Sequence, residues 1–80
     1  MRKYYKKHSP VGVLIEHALS PKKTGLTQLV RAFLDVNPGL GWDEGLKRMK
    51  YTIADKYGNT LRPHGLKAIR DNSDRYSLVK

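Results

Sequence analysis

Residues 42–58 constrain the fold of this chain more than any other stretch, because their apolar side chains repeat at helical spacing. The repeat consists of Trp42, Leu46, Met49, Ile53 and Tyr57. These positions fall on one stripe of a helix. Acidic residues in the first turn oppose the positive end of the helix dipole, and Gly58 can adopt the left-handed conformation that closes a last turn. The pattern predicts a helix over about residues 43–57, with Trp42 and the rest of the stripe in the core.

The face of this helix away from the stripe is basic. It carries Lys47, Arg48 and Tyr51, with Lys50 at its shoulder. Cations interleaved with an aromatic ring are typical of surfaces that meet phosphates and bases. We therefore expect this helix to be the one that contacts DNA.

The charge of the whole chain points to the same class of partner. Sixteen Lys and Arg residues face seven Asp and Glu residues, for a net charge of +9 on 80 residues. A positive field of this size on a small body favours polyanions and fast association with them. The length is enough for one domain with a modest core, but it is too short for a scaffold with a deep catalytic cleft.

Two helices are predicted ahead of this one. Ser9-Pro10 is a typical helix start, with serine as the N-cap and proline in the first turn, and it predicts a helix over about residues 10–19. Residues 26–36 carry a wide apolar face and predict a second helix, which Asn37-Pro38-Gly39 ends. A short extended segment is expected at Thr24-Gly25-Leu26.

The C-terminal residues predict an antiparallel hairpin. Strand-like runs at about residues 66–70 and 75–79 flank four turn-forming residues, Asp71-Asn72-Ser73-Asp74. The expected register pairs Ile69 with Tyr76, with Leu78 on the same side, and places Arg70 directly opposite Arg75. Two like charges across a strand pair weaken a hairpin, whereas a phosphate held between them reverses the effect. The alternative is that both arginines are simply exposed.

Residues 1–8 predict a basic flexible arm ahead of a single domain over residues 9–80. The arm has four cations and no acid, and tyrosines at positions 4 and 5 lie among them. Its cations, which we expect to follow phosphates, are Arg2, Lys3, Lys6 and Lys7. The alternative is a solubilising tail whose tyrosines pack on the domain.

The sequence lacks the patterns of catalytic and metal sites. It has no cysteine, so it has neither a disulfide framework nor a thiolate metal site. It also has no glycine-rich phosphate loop, no His-Glu-X-X-His pattern and no nucleophile elbow. We therefore expect no enzyme activity, no cofactor and no metal. No apolar run is long enough for a signal peptide or a membrane span, so we expect an intracellular protein with no membrane partner.

Three helices, a connector and a terminal hairpin resemble a winged-helix domain, most nearly the linker-histone globular type. The resemblance covers about residues 8–80. The residues that carry it are Ser9-Pro10, Leu14-Ile15 and Ala18-Leu19, then Gly25-Leu26-Thr27, Leu46-Lys47-Arg48-Met49, Leu66 and Tyr76-Ser77-Leu78. It implies a mostly helical α+β fold, a three-helix bundle followed by a β-hairpin wing.

For function, the resemblance implies that the third helix enters the DNA major groove. The side chains implied to contact DNA are Lys47, Arg48, Lys50 and Tyr51 on the helix and Arg70 and Arg75 on the wing. The wing tip is not glycine-rich, and the lysine-alanine tail of linker histones is missing, so DNA contact is implied without chromatin compaction.

We therefore expect a non-enzymatic double-stranded DNA-binding protein, a monomer or weak dimer, driven by charge and with limited sequence specificity. Such a protein acts on DNA in a nucleus or nucleoid, in transcription regulation or chromosome organisation. The alternative is a small interaction or inhibitor protein that docks the same basic face on an acidic protein partner.

Overall fold

Three helices and a small antiparallel sheet make up the part of the chain that the structure, a computed structural model, describes: residues 5–19 and 23–80. The elements in chain order are α1 (Pro10–Ala18), β1 (Thr24–Gly25), α2 (Leu26–Asp35), α3 (Trp42–Ala54), β2 (Lys67–Arg70) and β3 (Arg75–Val79). A turn of 3-10 helix over Arg62–His64 precedes β2. The predicted α+β class, with helix predominating, is confirmed.

The first helix begins where the sequence predicts. The Ser9 hydroxyl accepts a hydrogen bond from the Gly12 backbone N–H at 3.1 Å, which satisfies one of the free donors of the first turn. The same hydroxyl donates to the Lys6 carbonyl at 2.7 Å. A Cβ on Gly12 would collide with that carbonyl and lie 2.9 Å from the carbonyl oxygen of Lys7. Glycine thus allows the backbone of residues 6 and 7 to lie against the start of α1.

The second helix is fixed at both ends by side-chain amides. The Gln28 side-chain oxygen accepts from the Gly25 backbone N–H at 3.2 Å and from the Thr24 hydroxyl at 3.0 Å. After the helix, the Asn37 amide donates to the Phe33 carbonyl at 2.9 Å and to the His8 carbonyl at 2.8 Å. The second pair of bonds ties residue 8 to the end of α2.

The third helix packs through the middle of the stripe that its large apolar residues predict: Met49 is buried, and Leu46 and Ile53 pack half-buried against the core. Its buried residues are Gly45, Met49 and Thr52, and a Cβ on Gly45 would lie 2.8 Å from a methyl carbon of Leu34. Glycine at this position therefore lets α3 pack closely against Leu34 of α2. Trp42, the first residue of α3, is 41% exposed. The prediction that it belongs to the core is wrong.

The third helix is also shorter than predicted. It ends at Ala54, because Asp55 adopts a left-handed conformation (φ 45°). The Asp55 carboxylate then accepts from the Thr60 N–H at 3.0 Å, the Thr60 hydroxyl at 2.8 Å and the Arg62 N–H at 3.0 Å. Tyr57 therefore lies beyond the helix and is 69% exposed, so its predicted place on the buried stripe is also wrong.

Strand β3 is the centre of the sheet, between β1 and β2, and its register differs from the predicted one. Arg70 pairs with Tyr76, and Ile69 pairs with Ser77. The Asp71 N–H bonds to the Arg75 carbonyl, so the loop has three residues, 72–74, and ends with Asp74 in a left-handed conformation. A three-residue loop shifts the pairing by one residue. Ile69 is thus 43% exposed instead of facing Tyr76.

The shifted register also separates the two wing arginines. Side chains of directly paired residues share a face of the sheet, and neighbours along a strand alternate. Arg70 therefore lies on the face of Tyr76, and Arg75 lies on the other face. The predicted pairing of Arg70 with Arg75 is wrong, and so is a phosphate site between them.

The core lies where the three helices meet the inner face of the hairpin. Its buried apolar members are Val13, Leu14, Ala18, Leu29, Val30, Phe33, Met49, Leu61, Leu66 and Leu78. Packing on this common core holds α3 and the hairpin side by side.

Candidate nucleic-acid interface

The exposed side of α3 has a groove on each side of it. We call its exposed polar residues, Asp43, Glu44, Lys47, Arg48, Lys50 and Tyr51, the α3 face. Lys47 and Tyr51 are one turn apart and so are neighbours on the helix surface. All four of the residues that the sequence predicted on this helix are exposed on this face.

An ion pair lies in the first half of the α3 face. Arg48 donates from Nε to the Glu44 carboxylate at 2.7 Å, one helical turn away. The hydrogen bond and charge of Arg48, assisted by the charge of Lys47, lower the pKa of Glu44. The Glu44 carboxylate therefore stays ionised at neutral pH, and the face combines this paired acid and the exposed Asp43 with its cations. The sequence analysis did not single out Glu44, although an acid four residues before Arg48 is a readable signal.

Tyr51 is held by residues that follow the helix. Its hydroxyl and the Asn59 side-chain oxygen are 3.1 Å apart, with the tyrosine donating. The ring of Tyr57 lies 6.4 Å from the ring of Tyr51, and the Lys56 ammonium is 5.6 Å from the centre of the Tyr57 ring. These three residues extend the cationic and aromatic surface beyond the helix. No sequence signal singled them out, because the prediction placed Tyr57 in the core.

The first groove, which we call the arm-side groove, lies between the α3 face and the segment before α1. It has a volume of about 580 Å³. Its cationic and aromatic lining residues are Tyr5, Lys6, Lys47, Arg48, Tyr51 and His64. The Tyr5 and His64 rings meet edge to face with 5.5 Å between their centres. Among the described residues, the buried Nδ1 of His64 has no hydrogen-bond partner.

The second groove, which we call the wing-side groove, lies between α3 and the hairpin. Lys50 and Arg70 line it, above a floor that includes Ile53 and Tyr76. The structure thus brings together one helix cation and one wing cation that the sequence predicted. The guanidinium of Arg70 lies 3.7 Å from the Asp74 carboxylate, and this pair is largely exposed.

The tip of the hairpin is fixed by a carboxylate. Asp71 accepts from the Arg75 backbone N–H at 3.0 Å and the Ser73 N–H at 2.8 Å, and it pairs with Lys23 at 3.4 Å. These two backbone hydrogen bonds lower the pKa of Asp71, with Lys23 adding to the effect. Arg75 itself is exposed and does not line the wing-side groove.

The predicted basic arm is described in part. Lys6 and Lys7 are exposed, and Lys6 lines the arm-side groove. The packing of Tyr5 and the hydrogen bonds at residues 6, 8 and 9 hold this part of the segment on the domain. Arg2 and Lys3 lie outside the described residues.

Metal clusters and membrane-spanning helices are both absent from the described ranges. Residues 5–19 and 23–80 contain no cluster of three His, Asp or Glu side chains able to hold a metal ion. Their helices are all too short and too polar to span a bilayer.

No protein-family model matches the sequence, and the searches of curated proteins and of solved structures found no match either.

Proposed function

We propose that this protein binds double-stranded DNA without catalysing a reaction, with α3 in the major groove. The observation that carries the proposal is the placement of Lys47, Lys50 and Tyr51 on one exposed helix face with a cation-lined groove on each side.

The dimensions of the surface suit a duplex. An α-helix with its side chains is about 10–12 Å across, and the major groove of B-DNA is about 12 Å wide. A helix in that groove has a phosphate backbone on each side. Lys6 and Lys47 line the arm-side groove, whereas Lys50 and Arg70 line the wing-side groove. Both backbones therefore meet cations.

The order of the elements supports a winged-helix arrangement as part of this proposal. A hairpin follows α3 after one turn of 3-10 helix, and its strand β3 also pairs with β1, which precedes α2. The hairpin is the wing in this arrangement, and Arg70 is its cation nearest α3. DNA in a nucleus or nucleoid is the corresponding place of action, in transcription regulation or chromosome organisation.

A salt titration of the binding to an arbitrary duplex tests the proposal. Because phosphate contacts release counterions, we expect the affinity to fall by orders of magnitude between low and above-physiological salt. Replacing Lys47 with Gln should lower the salt slope by about one, as for the loss of one phosphate contact. The matched control is Lys67→Gln, which removes the same charge from the sheet face opposite Arg70 and should leave the slope unchanged.

Two results would overturn the proposal. One is a wild-type affinity that does not depend on salt. The other is an equal effect of Lys47→Gln and Lys67→Gln, which would indicate a diffuse attraction without a defined face. Binding of an acidic protein, with no binding of any duplex, would favour the alternative function.

A further inference from the structure

We infer that Arg48 reads a guanine in the major groove and that Glu44 is its positioning residue. This inference rests on the proposed function and names the base that the α3 face distinguishes. Two observations carry it: the bonding of the guanidinium and the place of the carboxylate.

The bonding leaves the outer edge of the guanidinium available. Arg48 uses Nε to contact Glu44, and its two terminal nitrogens have no partner among the residues that the structure describes. The bond reaches back one turn, so the side chain lies along the helix toward its N-terminal end. A planar fork held at its inner nitrogen presents two parallel donors to a partner.

Guanine offers the matching acceptors. Its O6 and N7 lie side by side on the major-groove edge, and a bidentate arginine is the commonest specific contact with them. Adenine presents a donor in place of O6, so the same fork makes only one hydrogen bond there. A guanidinium oriented in advance loses less freedom when both bonds form.

The Glu44 carboxylate makes a contact of Arg48 with a phosphate less favourable than a contact with a base. A phosphate next to Arg48 would also approach the ionised Glu44 and be repelled by it. The edge of guanine is neutral and carries no such penalty. Glu44 therefore favours the use of Arg48 for a base, whereas Lys47 and Lys50 have no ion pair among the described residues and remain available for phosphates.

A weak structural role for the pair is the competing explanation. An exposed ion pair four residues apart stabilises a helix only slightly, and Asp43 already places a negative charge in the first turn. If the pair serves only the helix, changes to it will alter thermal stability and leave base preference as it is. The two explanations therefore give different results in a binding selection.

The test is a selection of bound duplexes from a pool with a randomised centre, for the wild type, Arg48→Lys and Glu44→Gln. We expect the wild type to enrich guanine at one position by about 5- to 150-fold, the range that one bidentate contact provides. Arg48→Lys keeps the charge but has no fork, so the enrichment should disappear while the salt slope is retained. Glu44→Gln should weaken the enrichment and increase the affinity for duplexes in general. Lys67→Gln is the control and should match the wild type.

A modified base then identifies the atom that is read. Replacing the selected guanine with 7-deazaguanine removes N7, which should weaken wild-type binding and leave Arg48→Lys unaffected. Salt-dependent binding with no enrichment, or an enrichment that survives Arg48→Lys, would overturn the inference and leave the proposed function standing. Absence of any duplex binding by the folded wild type would overturn both.

Discussion

The two halves of the chain differ in what their side chains supply. Residues 10–41 carry three Lys and Arg against two Asp and Glu, whereas residues 42–80 carry nine against five. The first half provides most of the buried core, including Leu14, Leu29 and Phe33. The second half provides Met49, Leu61, Leu66 and Leu78 to the core, together with most of the lining of the two grooves beside α3.

The comparison indicates that most of the residues that stabilise the fold and most of the residues that carry the positive charge lie in different halves of the chain. A substitution in the α1–α2 half should change the free energy of unfolding and leave the salt dependence of binding alone. A substitution of a cation in the second half should do the reverse. The predictions below test this separation.

The largest effect is expected for the largest core side chain. Phe33 is 1% exposed in α2, so Phe33→Ala should lower the free energy of unfolding by about 3–5 kcal/mol. Trp42→Ala should cost clearly less, because 41% of that residue is already exposed. Urea unfolding of both variants measures the two values. Equal losses would mean that Trp42 belongs to the core, as the spacing of apolar residues predicts.

The second prediction concerns the carboxylate that ends α3. Asp55→Ala leaves the Thr60 and Arg62 donors without their acceptor, and we expect a loss of about 1–3 kcal/mol in the free energy of unfolding. The control is Asp35→Ala at the exposed end of α2, which should stay within about 0.5 kcal/mol of the wild type. A similar loss for both variants would contradict a specific role for the Asp55 cap.

Acid should weaken the same cap. Burial raises the pKa of Asp55, but hydrogen bonds from Thr60, Arg62 and Leu61 outweigh it, and the pKa is lowered overall. Because the pKa is lower in the folded state, the ionised carboxylate stabilises the fold at pH values above 3.8, its pKa in the unfolded chain. This stabilisation is lost as the pH falls through the pKa of the folded state. Wild-type stability should therefore fall more steeply than that of Asp55→Ala below about pH 4. Parallel pH profiles in thermal unfolding would contradict this.

The third prediction compares the two wing arginines, which lie on opposite faces of the sheet. Arg70→Gln should lower the salt slope of duplex binding by about one, because Arg70 shares the wing-side groove with Lys50. Arg75→Gln removes the same charge from the other face and should change the slope much less. Binding isotherms at several salt concentrations measure both. A larger effect of Arg75 would place the duplex on the outer face of the sheet.

The smallest effect is expected at the tip of the hairpin. The hydrogen bonds from the Arg75 and Ser73 backbone lower the pKa of Asp71. These bonds should therefore weaken only when the pH falls through the lowered pKa and the carboxylate becomes protonated. The amide signals of Ser73 and Arg75 in NMR spectra should shift together there, with little change in global stability because the site is exposed. In Asp71→Asn the shared transition should be absent. Its persistence would assign the titration to another carboxyl group.

The sequence was a good guide where capping and turn residues act locally. The start of α1 was predicted from Ser9-Pro10, and the end of α2 was predicted from Asn37-Pro38-Gly39. The position of the hairpin was predicted from the polar turn over residues 71–74. It was a poor guide where one small residue decides a packing. Gly45 lets the buried side of α3 include a bare backbone position against Leu34 while Trp42 stays exposed, and the conformation of Asp74 shifted the hairpin by one residue. Neither effect appears in the spacing of apolar residues.

The candidate surface was also predicted in part. Spacing alone placed Lys47, Arg48, Lys50 and Tyr51 on one exposed helix face. The four-residue spacing of Glu44 and Arg48 permits their ion pair, but spacing could not provide the choice of Nε as the donor or the meeting of Lys50 with Arg70, which depends on the register of strands far along the chain.

The glycine in the first turn of α1 has a consequence for engineering the surface. The segment over residues 5–9 forms one wall of the arm-side groove, and its backbone rests where a Gly12 side chain would be. The methyl group of Gly12→Ala would clash with the backbone carbonyls of Lys6 and Lys7 and should displace this wall outward. The width of the groove is thus adjustable from a buried position that no ligand touches, and a mutational scan restricted to exposed cations would never reach it.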